Sequence, residues 1–359
     1  MSKVWYSGMS FEKYAPECTL PAKFERMLGA VGLEAGFKGA RTAIKMHVGR
    51  EIGYSTIPPL FVKILVDRLK AAGATPYLID QTVDGAAARG YTENYFGCPI
   101  TTSCGVTEKY LYRKEIGFKT FEYANIAGNF HDADAVVVLS HVKGHGACGY
   151  GGACKNIAMG CVDDHTRGSI HGLETGLAWD ESKCTHCEAC IGSCNHHANS
   201  FDENGKYEVF YHHCTLCQHC VKVCPTGAIS PTGSNYEDFQ HGMALCTRAA
   251  LEDFPKDRVL YVNAMLQMTA LCDCWGFTTP SIVPDVGICA SYDLVAVEQA
   301  CLDRIRVEDF NPLSVPVGTE MGEKGHLFER IHGKDPYIQI DECAKLKMGS
   351  TKYKLVDVV

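Results

Sequence analysis

No apolar run in this sequence approaches the roughly 18 residues that a membrane span needs, so no membrane partner is expected. A charged-then-apolar leader is also missing after Met1, which leads us to expect a cytoplasmic protein. Positive charge is in deficit: 34 Lys and Arg against 42 Asp and Glu leave a net charge of −8. Binding to phosphate backbones needs a basic surplus, so no nucleic-acid partner is expected. Low-complexity stretches are absent, and 46% hydrophobic with 21% charged residues is ordinary for a globular chain. With 359 residues, the chain has room for one large core or two ordinary ones.

Cysteine is what the chain has in excess. Twenty cysteines without a leader imply thiols kept reduced, hence metal ligation and an anaerobic setting. Eight of them fall in two runs: Cys184, Cys187, Cys190 and Cys194, then Cys214, Cys217, Cys220 and Cys224, the last followed by Pro225. Both runs read C-x2-C-x2-C-x3-C, and corresponding cysteines lie 30 residues apart. Thiolates are soft ligands that suit iron, and this spacing is that of bacterial iron–sulfur ligation. Zinc sites usually need two C-x2-C pairs and are seldom duplicated in this way. A disulfide framework would conflict with a reducing compartment. Two [4Fe-4S] clusters are therefore expected. The short x3 spacer carries each fourth thiolate away from its own run, so ligation should cross. One cluster takes Cys184, Cys187, Cys190 and Cys224; the other takes Cys214, Cys217, Cys220 and Cys194. Asn195 stands where the second run has Pro225, which leaves a backbone N–H and the imidazoles of His196 and His197 near the second of these clusters.

The ferredoxin-like (α+β) run occupies residues 180–232, and both flanks alternate between strand and helix patterns. Pro21 suits a first helical turn, with Phe24, Met27, Leu28 and Val31 on one face. Residues 42–48 alternate as a strand with Ile44, Met46 and Val48 on one side. A helix opens near Pro59, turns Phe61, Ile64, Leu65 and Leu69 inward, and stops at Gly73. Residues 75–80 read as a strand ending at Asp80, and the apolar run 135–140 as a buried parallel strand. Ser234 with Glu237 reads as a capping box opening a helix through Phe239, Met243 and Cys246. A strand at 258–263 and a last helix near 293–306 complete the pattern. The expected fold class is α/β, a mostly parallel open sheet flanked by helices. Residues 1–179 and 233–359 are expected to form one discontinuous domain around the inserted module, the alternative being one domain per flank.

The segment 140–161 begins where a buried strand ends, and open α/β sheets place ligands there. Six glycines between Gly144 and Gly160 let backbone approach a ligand and present N–H groups. His141, Lys143, His145 and Lys155 add proton carriers and positive charge, and Asn156 adds hydrogen bonds. A flexible glycine-rich connection is the plain alternative. The pattern is not a nucleotide P-loop. Lys45 and His47 share the polar side of the early strand and are placed for the same cleft, or for solvent. Cys272-Asp273-Cys274 can chelate a third metal, with Cys148, Cys154 or Cys161 near and His145 as nitrogen donor, or can pack as small apolar side chains. The packing reading is assigned to Cys18, Cys98, Cys104, Cys246, Cys289, Cys301 and Cys343. Asp285, Ser291 and Asp293 are read as caps of the last helix.

Ser140-His-Val-Lys-Gly-His-Gly through Lys155-Asn156 to Gly160-Cys161, the doubled cysteine run, Cys-Asp-Cys, and Pro284-Asp285 with the 293–300 stretch occur in one order. With Ile44-Lys-Met-His-Val-Gly and Pro58-Pro59, this resembles the domain of unknown function 362 family, in members that carry an inserted two-cluster ferredoxin. The resemblance spans nearly the whole chain and implies an iron–sulfur protein of anaerobes, with roles carried over only for the eight cluster cysteines. The expected activity is that of an oxidoreductase passing low-potential electrons to a substrate or second cofactor at the 140–161 loop. Lys143 and Lys155 would hold an anionic small molecule, and His141 or His145 would deliver protons. A non-catalytic electron-transfer or assembly subunit and a metal- or cluster-handling protein are the competing expectations. A redox partner protein is expected, and a homo-oligomer stays open.

Overall fold

Eight strands hydrogen-bond into one sheet in a computed structural model that describes residues 1–50, 53–174, 176–194, 196–211, 213–214, 218–232 and 236–359. Across the sheet the order is Tyr353–Asp357, Ser2–Gly8, Gly287–Ser291, Val259–Met265, Ala135–His141, Arg41–Lys45, Thr75–Asp80 and Ile100–Thr102. Only Gly287–Ser291 runs against its neighbours, so the sheet is mostly parallel and the fold is α/β. Asn195, Cys217 and Ser234, each named above, lie outside the described residues.

Alternation along the central strands decides which face covers what. Ala43, Val136 and Val138 join the apolar layer that also holds Ala153–Gly160, Tyr236–Leu251 and Leu294–Leu302. Ile44, Val137 and Leu139 point the other way, into the layer of the Leu20–Val31 and Pro59–Ala71 helices. Both of those helices carry proline in the first turn, and their predicted inward residues are buried, except that Ile64 is half-buried.

Several boundaries differ from expectation. The early strand stops at Lys45, because the Asp80 carboxylate takes the Val48 N–H in place of a ladder partner. The helix expected over 293–306 spans Leu294–Leu302 and is not the last, since Leu327–His332, Ile338–Lys345 and the strand Tyr353–Asp357 follow it. Asp293 caps it through Ala296 N, but Asp285 instead accepts from Gln267 N. A hairpin of Leu111–Phe118 with Phe121–Ala127 and the first strand, Ser2–Gly8, were not anticipated.

Residues 177–231 form a small duplicated unit. Leu177–Trp179 pairs with Ile229–Pro231, and Asn199–Phe201 pairs with Tyr207–Val209. Each strand, like each short helix (Ala189–Gly192 and His219–Val223), has its counterpart 30 residues on, so the cysteine repeat is a repeat of structure. The unit has its own apolar cluster around Cys190, Tyr207, Cys220 and Ile229. It joins the rest through a narrow neck where Thr232 N donates to Gly176 O at 2.8 Å and Gly176 N to Thr232 Oγ1 at 2.7 Å.

Candidate functional site

From the adjacent strands Arg41–Lys45 and Ala135–His141 the chain proceeds toward opposite edges of the sheet, which makes their C-terminal ends a topological switch point. A cavity of about 460 Å³ opens there, lined by Lys45, His47, Asp80, His141, Lys143, His145, Lys155 and Asn156 among others. The 140–161 segment supplies much of this wall. It folds as a short hairpin, Lys143–His145 with Gly149–Gly151, followed by the Ala153–Gly160 helix, rather than as a loose connection.

Two buried carboxylates organise the floor. Asp80, at the end of its strand, takes Lys45 Nζ at 2.9 Å on one oxygen and His47 Nδ1 at 2.9 Å on the other. Burial alone would raise its pKa, but the Lys45 ammonium and the His47 ring hold it well below the carboxylate range. Burial lowers the His47 pKa against the pull of Asp80, and Nε2 is buried with no hydrogen-bond partner among the described residues. Asp273 repeats the arrangement with the order reversed: one oxygen meets His141 Nδ1 at 2.8 Å and also Lys143 Nζ. Ser55 Oγ donates to its other oxygen at 3.3 Å. Burial again acts upward on Asp273, and His141 with Lys143 overcomes it.

The five residues singled out in the 140–161 segment all line the cavity, but in different states. His141 has Nδ1 on Asp273 and Nε2 on Leu266 O at 2.7 Å, so both nitrogens face acceptors and neither is left for a ligand. Asn156 takes Lys45 Nζ at 2.8 Å and gives its amide to Leu139 O and Ser140 Oγ, both at 3.0 Å, tying helix to strand ends. A Cβ at Gly160 would collide with the Lys45 ammonium, which explains a glycine at the end of that helix. Lys155 is half-buried, and its Nζ lies 3.8 Å from Cys272 Sγ. Burial, with Lys143 and Lys45 nearby, brings it down to about 8 against the opposing pull of Cys148 and Asp273. His145 accepts the Ala147 N–H at Nδ1 (3.2 Å). Arg50, Arg167 and His171 extend the basic lining, while Phe210 and Tyr211 of the duplicated unit close one side.

Cys272 and Cys274 are joined by a disulfide and both line the cavity. His145 is the third member of their group, with ligand atoms within 4.8 Å of one another. The wider cysteine site expected there does not form. Cys154 lies against Thr247 Oγ1 and Cys343 Sγ, and Cys161 is enclosed in the core. Cys148 donates to Tyr150 O at 3.1 Å and lies 3.3 Å from His145 Nδ1, and burial pushes its thiol up to about 12. Trp275 follows the pair, with the His213 ring stacked on it at 4.5 Å and His196 edge-on at 5.3 Å.

In the duplicated unit, Cys184, Cys187, Cys190 and Cys224 line one small cavity beside Trp179 and Phe201. Three cysteines of one run and the last of the other thus share a space. Ala198 N donates to Cys194 Sγ at 3.3 Å and Ala228 N to Cys224 Sγ at 3.2 Å, the same bond in both repeats. Thiols gathered with backbone donors on sulfur are a donor set that fits iron–sulfur clusters.

Sequence reasoning passed over Asp80, Asp273 and Trp275 as site residues. The available signals were a carboxylate directly after the apolar Leu78-Ile79 and an acid enclosed between two cysteines.

A mostly parallel sheet whose crevice is walled by a cysteine-rich insertion is the class this fold and site define. The family description "Domain of unknown function (DUF362)" matches residues 42–303, and the chain belongs to that family. Shorter stretches match other proteins. Over 51 residues the chain is 41% identical to "Ferredoxin" of Pyrobaculum islandicum, covering 14% of this chain and 48% of that protein. Over 51 residues it is 39% identical to "Pyruvate synthase subunit PorD" of Methanocaldococcus jannaschii, covering 14% and 59%. "Protein NrfC" of Escherichia coli is 27% identical over 125 residues, covering 29% of this chain and 55% of that one. The matches thus span about half the length of these relatives. Among solved structures, the lactate racemase apoprotein from Thermoanaerobacterium thermosaccharolyticum aligns with a TM-score of 0.35 at 12% identity, over 75% of this chain and 51% of that chain. Among the described residues, no helix is long and apolar enough to cross a membrane.

Proposed function

We propose that this chain is an iron–sulfur oxidoreductase that holds two [4Fe-4S] clusters in residues 180–232 and directs low-potential electrons to an anionic small molecule in the switch-point cavity. The observation that carries this reading is the contact between module and cavity: Phe210 and Tyr211 line it, and His213 stacks on Trp275 one residue before Cys214. Cys184, Cys187, Cys190 and Cys224 would hold one cluster, with Cys214, Cys217, Cys220 and Cys194 holding the other. When bound, such clusters supply single electrons at low potential. The name of the ferredoxin relative supports the cluster type, and the pyruvate synthase subunit among the relatives supports a redox partner protein.

The chain's own residues do the rest. Lys45, Lys143 and Arg167 are paired with Asp80, Asp273 and Asp164, so Lys155 and Arg50 are left to attract an anion. His145 carries its hydrogen on Nε2 when neutral, because Nδ1 accepts from Ala147, and so acts as a proton donor. Residues 1–179 and 233–359 form the single α/β domain that carries this site, in a cytoplasmic protein of an anaerobe. A subunit that only relays electrons is the second reading, favoured by the subunit named among its relatives.

The test uses anaerobically prepared full-length chain. Eight irons and as many labile sulfides per chain are expected. Inorganic phosphate is expected to bind less tightly as pH rises through about 8, where Lys155 loses its proton, with this step absent in Lys155→Met. Stoichiometric zinc without labile sulfide, or the same phosphate affinity in parent and variant at every pH, would overturn it.

A further inference from the structure

We propose that Cys272 and Cys274 are a redox-active disulfide/dithiol pair, a two-electron store on the cavity wall that is filled from the cysteine-rich module. The inference rests on the proposed function and deepens it by naming how single electrons are gathered at that site.

Four observations converge on this pair. Among the described cysteines only Cys272 and Cys274 are bonded to each other. Disulfides in chains that otherwise keep their thiols are usually redox-active rather than structural. A bond that encloses a single intervening residue removes little entropy from the unfolded chain, so stability gives little reason for it.

The second observation is position. One short turn, Asp273–Trp275, links three places at once. Asp273 anchors it to His141 and Lys143, the sulfurs border the cavity, and Trp275 meets His196 and His213. Those two histidines lie beside Cys194 and Cys214, both assigned to the same cluster.

The third observation is the chemistry around sulfur. Lys155 Nζ, 3.8 Å from Cys272 Sγ, stabilises a thiolate as the bond opens. The fourth is His145, whose ligand atom lies within 4.8 Å of both sulfurs and whose Nε2–H is a proton source. The same three residues are the group that could hold the third metal ion expected from sequence, once the pair is reduced.

The step balances. The S–S bond breaks, two electrons arrive one at a time from a low-potential one-electron reductant through the module, and two protons are taken up. Two S–H bonds form.

The experiment compares the cluster-loaded full chain with two variants, using dithionite as reductant under argon. After acid quench, iodoacetamide labelling of the peptide carrying both cysteines is read by mass spectrometry, and iron, sulfide and cluster absorbance are measured on the same samples. In the parent the pair is expected to be unlabelled before reduction and doubly labelled after it. In Cys214→Ser the labelling rate is expected to fall at least tenfold. The reductive titration of the parent is expected to consume two more electrons per chain than that of the Cys272→Ser/Cys274→Ser double variant, whose cluster content is unchanged. Labelled thiols in the oxidised parent, equal labelling rates in parent and Cys214→Ser, or equal electron counts would each overturn the inference. A parent that lacks iron and sulfide defeats the proposed function itself, whereas loaded clusters that bleach beside an unreduced pair defeat only this inference.

Discussion

At the scale of single residues, the site depends on buried charges that are nearly all paired. Asp80 and Asp273 each serve a lysine and a histidine, and removing either acid would leave an enclosed lysine ammonium without its counter-charge. Glu298 is the exception in kind. It is enclosed in the core, where one oxygen accepts from Ala153 N and Asn263 Nδ2. Burial pushes its carboxyl up to about 7 from 4.5, outweighing those donors. Between these values the folded protein keeps a proton that the unfolded chain releases. The contribution to stability is therefore fully present below about 4.5 and is lost as pH rises toward 7. Glu298→Gln is expected to be more stable than the parent by about 2–3 kcal/mol at pH 8 and to lose that advantage at pH 4.5. Urea midpoints at the two pH values check this.

At the scale of elements, the Leu294–Leu302 helix shows how one cap can join distant parts. The Asp293 carboxylate accepts from Ala296 N at 2.9 Å, from Ser350 N at 3.1 Å and from Ser2 Oγ, so it ties the Ser2–Gly8 strand and the approach to the Tyr353–Asp357 strand to the helix start. Asp293→Ala is expected to cost about 2 kcal/mol, at the upper end of cap losses, measured by urea unfolding with iron content unchanged. Such elements are legible in sequence to the degree that burial is periodic. Phe24, Met27, Leu28 and Val31 mark a helix because one face is wholly covered, and 135–140 marks a strand because both faces are. Ser2–Gly8 escapes because only Val4 and Ser7 are buried, and the Leu111–Phe118 hairpin strand because none of its residues is. In the site, the lysines, histidines and Asn156 were legible from glycine-rich context at the end of a buried strand. Asp273 was not, since its partner His141 lies 132 residues away and local pattern carries nothing across that distance.

At the scale of the whole molecule, the module enters and leaves through the hydrogen-bonded Gly176–Thr232 neck, so it can be removed without parting the sheet. A chain lacking residues 177–231, closed directly from Gly176 to Thr232, is expected to remain soluble and helical while losing all iron. Circular dichroism and iron analysis check this, and an aggregated product would show that the flanks need the insertion to fold. The duplication has a further consequence. An object with two equivalent halves has no front or back of its own. Here Trp275 meets His196 and His213, which neighbour the cysteines of one proposed cluster, while the cavity of Cys184 and Cys224 lies among the module's own residues. Mounting gives the symmetric part a polarity, with an inner terminal fixed at the crevice and an outer one left for exchange with the surroundings.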